Sequence, residues 1–346
     1  MAINSKNTKF IEQFQKLIEQ IKYDIDHISK SKSSKSESMA NHFRLRQMIN
    51  VVNIIKKYPH EIKSGDQLKD IKGIGKGTIS RIDEIIKKGY LSEININKRE
   101  QKYLKQIDEL TQIFGIGRNT AYDLIVTHNI KSIKELKKAY NKGTIELSHH
   151  IILGLKYHNV YKQLIPRSEV DSINDYLKQI VQSIDSNLFH VICGSYRRGK
   201  DTSNDIDILL VHKNIPSNLK LLQHKNYLKL VIDKLKKDGF ILDDIDKNYE
   251  VKYMGFCKFN NKPVRRIDIM YTPCDSFYTA LLHFTGSGEF NRKIREVAIE
   301  LGYTLSQLGL YVVKNGKKVK KIKINSEQDI FNKLGLEYIP PEQRSI

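Results

Sequence analysis

Two acidic residues that alternate with isoleucines constrain the fold of this chain more than any other feature. In the stretch NDIDILLV, Asp205 and Asp207 alternate with Ile206 and Ile208. Successive side chains of a β-strand point to opposite faces, so the two carboxylates would share one face, roughly 6.5 to 7 Å apart. Two like charges on an otherwise apolar strand are costly unless a cation compensates them. The pattern therefore predicts a strand that holds one shared metal ion or two neighbouring ones.

A second predicted strand, RRIDIMY, repeats this arrangement with Arg266 and Asp268 on one face. Three carboxylates on neighbouring strands would suit two Mg²⁺ ions about 3.5 to 4 Å apart, one for an attacking hydroxyl and one for a triphosphate. Upstream, Gly194 and Ser195 end the predicted strand FHVICGS, and Arg198 offers a planar fork of donors for phosphate oxygens. Each feature alone is more typical of a solvated strand end or an ordinary turn. In this order and together, they predict a nucleotidyltransferase core.

Two segments, 71–86 (IKGIGKGTISRIDEII) and 113–126 (IFGIGRNTAYDLIV), share a Gly-Ile-Gly pattern followed by a helical stretch. In a helix-hairpin-helix, such glycines form a tight turn whose backbone N–H groups can hold a phosphate at the start of the second helix. The alternative is a pair of ordinary capping turns. The net charge of +20, from 59 Lys plus Arg against 39 Asp plus Glu, favours a polyanionic partner whose binding weakens with salt.

Cysteine content and the amino terminus indicate the compartment. Cys193, Cys257 and Cys274 form no CxxC pair, so neither a disulfide framework nor a zinc site is expected, and a reducing compartment fits. The sequence contains no apolar leader and no run of eighteen apolar residues. We expect a soluble intracellular protein without membrane contact; a nucleus and a cytoplasmic viral compartment both remain open.

The coarse secondary-structure pattern predicts an α+β chain with an all-helical amino-terminal part. Helical periodicity in FIEQFQKLIEQIKYDIDHI is followed by a polar stretch, SKSKSSKSES (29–38), which we interpret as a flexible loop or a weak basic tract. A helix that stops at Pro59 comes next. From residue 168 onward, helices near 172–184, 219–237 and 276–301 alternate with strands, and SEQDIF starts a last helix. We expect four domains: 1–99, 100–165, 166–275 and 276–346.

These residues resemble the DNA polymerase X family, with a polymerase beta-like layout, from about Phe43 to Arg344. The resemblance is carried by KYPHEIKSG, the two Gly-Ile-Gly segments, CGSYRRG, DIDILLVH, RRIDI and FTGSGEFNRKIR. It implies a helix-hairpin-helix domain followed by fingers, palm and thumb. It further implies a monomeric DNA polymerase of base excision repair that fills gaps under the direction of a template. The substrates would be dNTP and gapped or nicked DNA, and the cofactors would be two Mg²⁺ ions, with Mn²⁺ as a substitute. Its pathway partners would be a ligase and an abasic-site nuclease. No extra domain precedes the match, so we expect a minimal member.

The resemblance also assigns roles to individual residues. Asp205, Asp207 and Asp268 would hold the metals, with Asp268 nearest the primer 3′-hydroxyl and Arg266 orienting it. The nucleotide would contact Gly194, Ser195, Arg198, Arg167, His283, Phe284, Gly286 and Asn291. DNA would contact Gly73, Gly75, Gly115, Gly117 and Arg295. Na⁺ or K⁺ would bind the backbone carbonyls of Lys69, Ile71, Ile74, Thr111, Ile113 and Ile116.

Several positions depart from the family pattern. His283 stands in place of a tyrosine, Gly288 of an aspartate and Met270 of an arginine, which implies a looser nucleotide pocket. Relatives cleave a 5′-deoxyribose phosphate with a lysine that forms a Schiff base, but Arg81 occupies that position and stays protonated. Two supporting lysines are replaced by Arg44 and Gly77, so any surviving lyase activity would need Lys76, Lys69 or Lys63.

Two alternative functions remain at this stage. One is template-independent nucleotide addition, which the short connection KFNNKPV before RRIDI disfavours because template-free relatives carry a long loop there. The other is a non-catalytic module that binds DNA ends, which the three carboxylates disfavour.

Overall fold

The computed structural model describes residues 5–28, 35–160, 163–217, 225–246 and 248–345. The chain forms two compact units, Met1–Ile151 and Ile152–Ile346. Among the described residues, no helix combines the length and the apolar character that a membrane span requires. The prediction of an α+β fold with an all-helical amino-terminal part is confirmed.

The first unit is helical. Its helices are α1 (Thr8–Ile28), α2 (Lys35–Lys57), α3 (Lys76–Lys88), α4 (Lys98–Leu110), α5 (Arg118–Val126), α6 (Ile133–Asn141) and α7 (His149–Lys156), which runs on into the second unit. The apolar stripe of α1 is buried, including Phe10, Phe14 and Leu17, and packs with residues of α2 and α3. The polar stretch 29–38 is not a loop throughout, because α2 already begins at Lys35; residues 29–34 lie outside the described part.

The second unit is built on a five-stranded sheet. In chain order its elements are β1 (Ile165–Pro166), α8 (Arg167–Ile184), β2 (Leu188–Ile192), α9 (Gly194–Arg197), β3 (Thr202–Ser203), β4 (Ile206–His212), α10 (Tyr227–Lys237), β5 (Ile241–Asp244), β6 (Lys252–Cys257) and β7 (Arg265–Pro273). The strand order is β2-β4-β7-β6-β5, and only β4 and β7 run parallel. The predicted helix near 219–237 begins at Tyr227, and residues 218–224 lie outside the described part.

Strand β4 is buried on both faces, which explains its nearly continuous apolar run. Ile206 and Ile208 pack in the cluster that includes α8 and α10. Leu209 and Val211 point the other way, into a cluster with Ala280 and Leu281. By alternation, Asp207 belongs to this second face of the sheet.

A smaller sheet and three helices complete the described part of the second unit. They are α11 (Phe277–Thr285), α12 (Gly288–Glu300), β8 (Tyr303–Ser306), β9 (Gly309–Lys314), β10 (Lys317–Ile322) and α13 (Glu327–Lys333), followed by a short turn at Pro341–Gln343; the strand order is β10-β9-β8. The prediction of one helix near 276–301 was wrong, because Gly286 takes φ +69° and Ser287 caps a new helix by accepting from Phe290 N. The helix start at SEQDIF is confirmed.

Candidate active site

The structure brings three carboxylates together at one end of the parallel strand pair. Asp205 immediately precedes β4, Asp207 lies within it, and the β4–β7 register places Asp207 directly opposite Asp268. One oxygen from each carboxylate lies within 4.8 Å of the others. Local alternation orients the first two residues, and pairing with a strand about sixty positions later supplies the third.

The electrostatics of this cluster favour the binding of a cation. Burial, and then the charges of Asp205 and Asp268, raise the pKa of Asp207 to about 7. Burial also raises the pKa of Asp268, although Arg266 Nη2 donates to its Oδ2 at 2.8 Å and lies 3.3 Å from Asp205 Oδ2. Among the described residues, the buried Asp268 Oδ1 has no hydrogen-bond partner. Crowded carboxylates with an unsatisfied oxygen fit a divalent cation such as Mg²⁺.

Gly194 makes this arrangement possible. It begins the single-turn helix α9 with φ +55°, and a Cβ built on it would lie 2.1 Å from Asp207 Oδ2. The preceding Cys193 N donates to Asp207 O at 2.8 Å, which holds α9 against β4. Ser195 Oγ donates to Ser203 Oγ at 2.9 Å. Any side chain at position 194 would therefore displace a carboxylate of the cluster.

The two arginines predicted to bind phosphate already contact protein groups. Arg198 Nη1 donates to Thr285 O at 2.5 Å, and its Nε donates to Ser345 Oγ at 3.2 Å. Arg167 lies at the start of α8, stacks on the Tyr196 ring at 4.1 Å and donates to Tyr196 O at 2.8 Å. Both arginines would have to exchange contacts to reach a ligand.

Sequence reasoning missed a buried ion cluster beside α9. Arg197 Nη2 lies 2.5 Å from Glu327 Oε2, and Arg344 Nη1 donates to Glu327 Oε1 at 2.6 Å. Arg197 also donates to Thr285 Oγ1 at 2.6 Å. Glu327 and Arg344 are buried. No short-range signal could reveal this cluster, since its partners lie up to 130 positions apart.

The predicted nucleotide-selecting residues lie on α11 and α12. Asn291 Nδ2 donates to His283 O at 2.7 Å, and Arg295 Nη2 lies 2.9 Å from His283 Nδ1. Burial, and then the Arg295 charge, lower the pKa of His283 to about 4, so its ring is neutral. Phe284 packs beside β4, and a Cβ on Gly286 would lie 3.2 Å from Arg198 Nη1.

Both Gly-Ile-Gly segments form the predicted turns before helices. Gly73 and Gly115 take φ +101° and +89°, a backbone conformation that is strained for residues other than glycine. Gly75 and Gly117 cap α3 and α5, and apart from their chain neighbours no atom of the described residues comes within 4 Å of a Cβ built on either. Among the proposed cation ligands, the carbonyls of Ile71 and Ile113 each accept one internal bond, at 3.0 and 3.1 Å, and keep a second lone pair. Lys69, Ile74, Thr111 and Ile116 lie within the same two turns.

At the predicted lyase position, Arg81 is held by an acidic partner that the sequence did not reveal. Its Nε lies 2.5 Å from Glu93 Oε1, and Arg44 Nη2 lies 2.7 Å from Glu93 Oε2. Arg81 Nη1 also donates to Gly77 O at 3.2 Å. The candidate amines Lys63, Lys69 and Lys76 are all exposed, and Lys69 also pairs with Asp66.

A sheet with three convergent carboxylates, together with helix-hairpin-helix turns in the other unit, is the architecture of a nucleotidyltransferase that handles nucleic acid. Four family models match the chain: a helix-hairpin-helix domain over residues 5–91, the fingers domain of DNA polymerase lambda over 108–159, the DNA polymerase beta palm over 164–274 and the DNA polymerase beta thumb over 280–345. The chain belongs to the DNA polymerase X family.

Individual relatives agree with this assignment. The chain is 29% identical over 306 residues to DNA polymerase lambda of Rattus norvegicus, covering 85% of this chain and 51% of the relative. It is 29% identical over 313 residues to DNA polymerase lambda of Arabidopsis thaliana, covering 85% and 56%. It is 27% identical over 339 residues to DNA nucleotidylexotransferase of Xenopus laevis, covering 89% and 65%. The match thus spans about half to two thirds of each relative's length.

Proposed function

We propose that this protein is a template-directed DNA polymerase that fills short gaps during DNA repair of the base-excision type. The observation that carries the proposal is the cluster of Asp205, Asp207 and Asp268, with a buried carboxylate oxygen that has no hydrogen-bond partner in the described part of the chain. The cluster lies within the segment that matches the polymerase beta palm. The substrates would be a dNTP and the primer 3′-hydroxyl of gapped or nicked DNA.

The three aspartates would hold two divalent ions, with Mg²⁺ favoured and Mn²⁺ as a substitute. When bound, these ions would lower the pKa of the attacking hydroxyl and neutralise charge on the triphosphate. Asp268 has one buried carboxylate oxygen without a hydrogen-bond partner among the described residues, and it would receive the primer hydroxyl proton. Arg266 fixes the Asp268 carboxylate through its 2.8 Å hydrogen bond. Because Gly194 has no Cβ, the Asp207 carboxylate can lie close to its backbone.

The remaining predicted residues would bind the substrates. Ser195 and Arg198 would contact the triphosphate, and Arg167 would contribute once its stacking contact is released. On α11 and α12, His283, Phe284, Gly286 and Asn291 would surround the sugar and base, and Arg295 would contact the template. The turns at Gly73–Gly75 and Gly115–Gly117 would hold DNA phosphates, with Na⁺ or K⁺ at their carbonyls. A ligase and an abasic-site nuclease would act beside the enzyme in the nucleus or a viral compartment.

We also propose that the amino-terminal unit does not cleave 5′-deoxyribose phosphate. An arginine keeps its proton at working pH and cannot form the imine. The Glu93 carboxylate further engages both Arg81 and Arg44. Borohydride trapping on an incised abasic site should therefore give no covalent adduct. An adduct that disappears in a single Lys63, Lys69 or Lys76→Ala variant would instead identify a replacement nucleophile.

Template-independent addition is the second candidate, and the DNA nucleotidylexotransferase relative keeps it in consideration. Residues 258–264, between β6 and β7, form only a short connection. This connection leaves little chain to occupy the place of a template, which favours templated synthesis.

Extension of a primer across a one-nucleotide gap tests the proposed function. With Mg²⁺ or Mn²⁺, the wild type should add the nucleotide complementary to the template, and Asp268→Asn should lower the rate by about 10²- to 10⁴-fold, the usual range for a lost proton acceptor. Asp201→Asn is the matched control, because Asp201 is exposed outside the cluster.

Unchanged extension by Asp268→Asn would refute the assignment of the site. Addition to bare single strands as fast as to the gapped duplex would instead favour the template-independent function. Strong nucleotide binding without any extension would favour a non-catalytic DNA-end module.

A further inference from the structure

The hairpin formed by β9 and β10 is an exposed basic surface that the proposed catalytic chemistry does not use. Between positions 314 and 323 it carries six lysines and no acidic residue. We call residues 309–323 the basic hairpin. Five of its lysines are exposed, namely Lys314, Lys317, Lys318, Lys320 and Lys323. The hairpin supplies two of the three strands of the small sheet, with β9 in the centre and β10 at an edge.

The positive charge of the basic hairpin is not neutralised by the described part of the protein. Only Lys321 has a carboxylate partner there, Asp275 at 3.1 Å. Lys317 lies directly opposite Lys314 across the strand pair, and like charges in such positions repel each other. An external polyanion would relieve this repulsion.

The surface chemistry favours a phosphate backbone over unpaired bases. Proteins that hold single strands stack bases on aromatic rings. The one aromatic side chain of the basic hairpin, Tyr311, is covered by Lys318 Nζ, 4.8 Å from the ring centroid. Residues 317–323 span roughly 20 Å at about 3.3 Å per residue, which is enough to follow several phosphates of a duplex.

We propose that the basic hairpin binds the phosphate backbone of duplex DNA, as a contact additional to the two Gly-Ile-Gly turns. The inference rests on the proposed function in that duplex DNA is taken to be the substrate. It does not depend on the metal site, because the lysines act as point charges that displace counterions. The basic hairpin would thus add affinity that does not depend on base sequence.

The salt dependence of duplex binding tests this inference. In the full-length protein, Lys314, Lys317, Lys318 and Lys320 are replaced together by Gln, and fluorescence anisotropy gives the observed association constant at several salt concentrations. Each duplex phosphate contact contributes about 0.9 to the slope of log K against log salt, so we expect the slope to fall by about 2 to 3.6. Binding to a single strand of equal length should change by less than half as much.

The matched control removes four positive charges from exposed lysines elsewhere in the second unit: Lys178, Lys229, Lys237 and Lys258. It should keep the wild-type slope, and far-UV circular dichroism should show both variants folded. An equal decrease of the slope in the control variant would overturn the inference. An unchanged slope in the hairpin variant would also overturn it, and the lysines would then serve only to prevent edge-strand pairing. A loss confined to single strands would also overturn it. Gap filling by the wild type is scored separately, so failure of the proposed function is distinguishable from failure of the hairpin contact.

Discussion

At Asp207, burial and two neighbouring carboxylates act in the same direction on the pKa. Together they raise its pKa from the ordinary value of 3.8 to about 7 in the folded protein. A raised folded pKa contributes stability that is fully present below the unfolded value and is lost as the pH rises through the folded value. Without metal, the second unit should therefore lose stability as Asp207 ionises.

We predict that with EDTA the thermal midpoint of the wild type, taken at each pH as the difference from that of Asp207→Asn, falls by about 2 to 4 °C between about pH 6.5 and about pH 8, which corresponds to a loss of about 1 kcal/mol. The difference is used because His190 and His283, whose pKa values are both lowered to about 4, add stability in the same window as the unfolded chain loses its histidine protons. Mg²⁺ should restore the midpoint, and more strongly at the higher pH, because ligands bind metal when deprotonated.

Asp207→Asn is the informative variant for this measurement, since an amide has no charge to lose in the same window. Its midpoint should rise slightly across this window, because only the two histidines act there, and Mg²⁺ should raise it little. Equal pH dependence in the wild type and Asp207→Asn would show that another group is responsible.

Helix α9, which carries Gly194 and Ser195, is held in place by an ion pair with a residue far along the chain. Arg197 on α9 and the buried Arg344 share the carboxylate of Glu327 on α13. We predict that Glu327→Gln destabilises the second unit by about 3 to 5 kcal/mol, because the buried Arg344 and the partly buried Arg197 would both lose their carboxylate partner. Urea denaturation measures this change.

Glu337→Gln is the control for Glu327→Gln, because Glu337 is exposed and has the same charge. It should change the free energy of unfolding by less than about 0.5 kcal/mol. If both variants unfold at the same urea concentration, the ion cluster contributes nothing to stability.

Elements were predictable from the sequence where local pattern determines them. The alternation around Asp205 and Asp207 and the glycine turns before α3 and α5 could be predicted, because spacing along a few residues fixes which way side chains point. The strand β5 and the break between α11 and α12 were not anticipated, since a short strand and one positive φ leave little periodicity. Pairing of Glu93 with Arg81 and of Glu327 with Arg197 depends on tertiary contacts that no local pattern encodes.

At the scale of the whole molecule, the net charge of +20 favours a polyanionic partner. We predict that affinity for gapped duplex DNA falls by about 10³- to 10⁵-fold between about 50 and 200 mM salt, the range for 6 to 10 phosphate contacts. Anisotropy titrations with two unrelated base sequences should give the same slope. A decrease of less than about tenfold would show that the charge is spread over surfaces that do not contact DNA.

The close approach of Gly194 to Asp207 also has a genetic consequence. All four glycine codons begin with two guanines, so every single-base change at the first or second position introduces a side chain or a stop. Each such side chain would enter the space that an aspartate oxygen occupies. If the enzyme is needed, inherited variation at this codon is confined to its third base, and a mutational scan would recover only synonymous changes there.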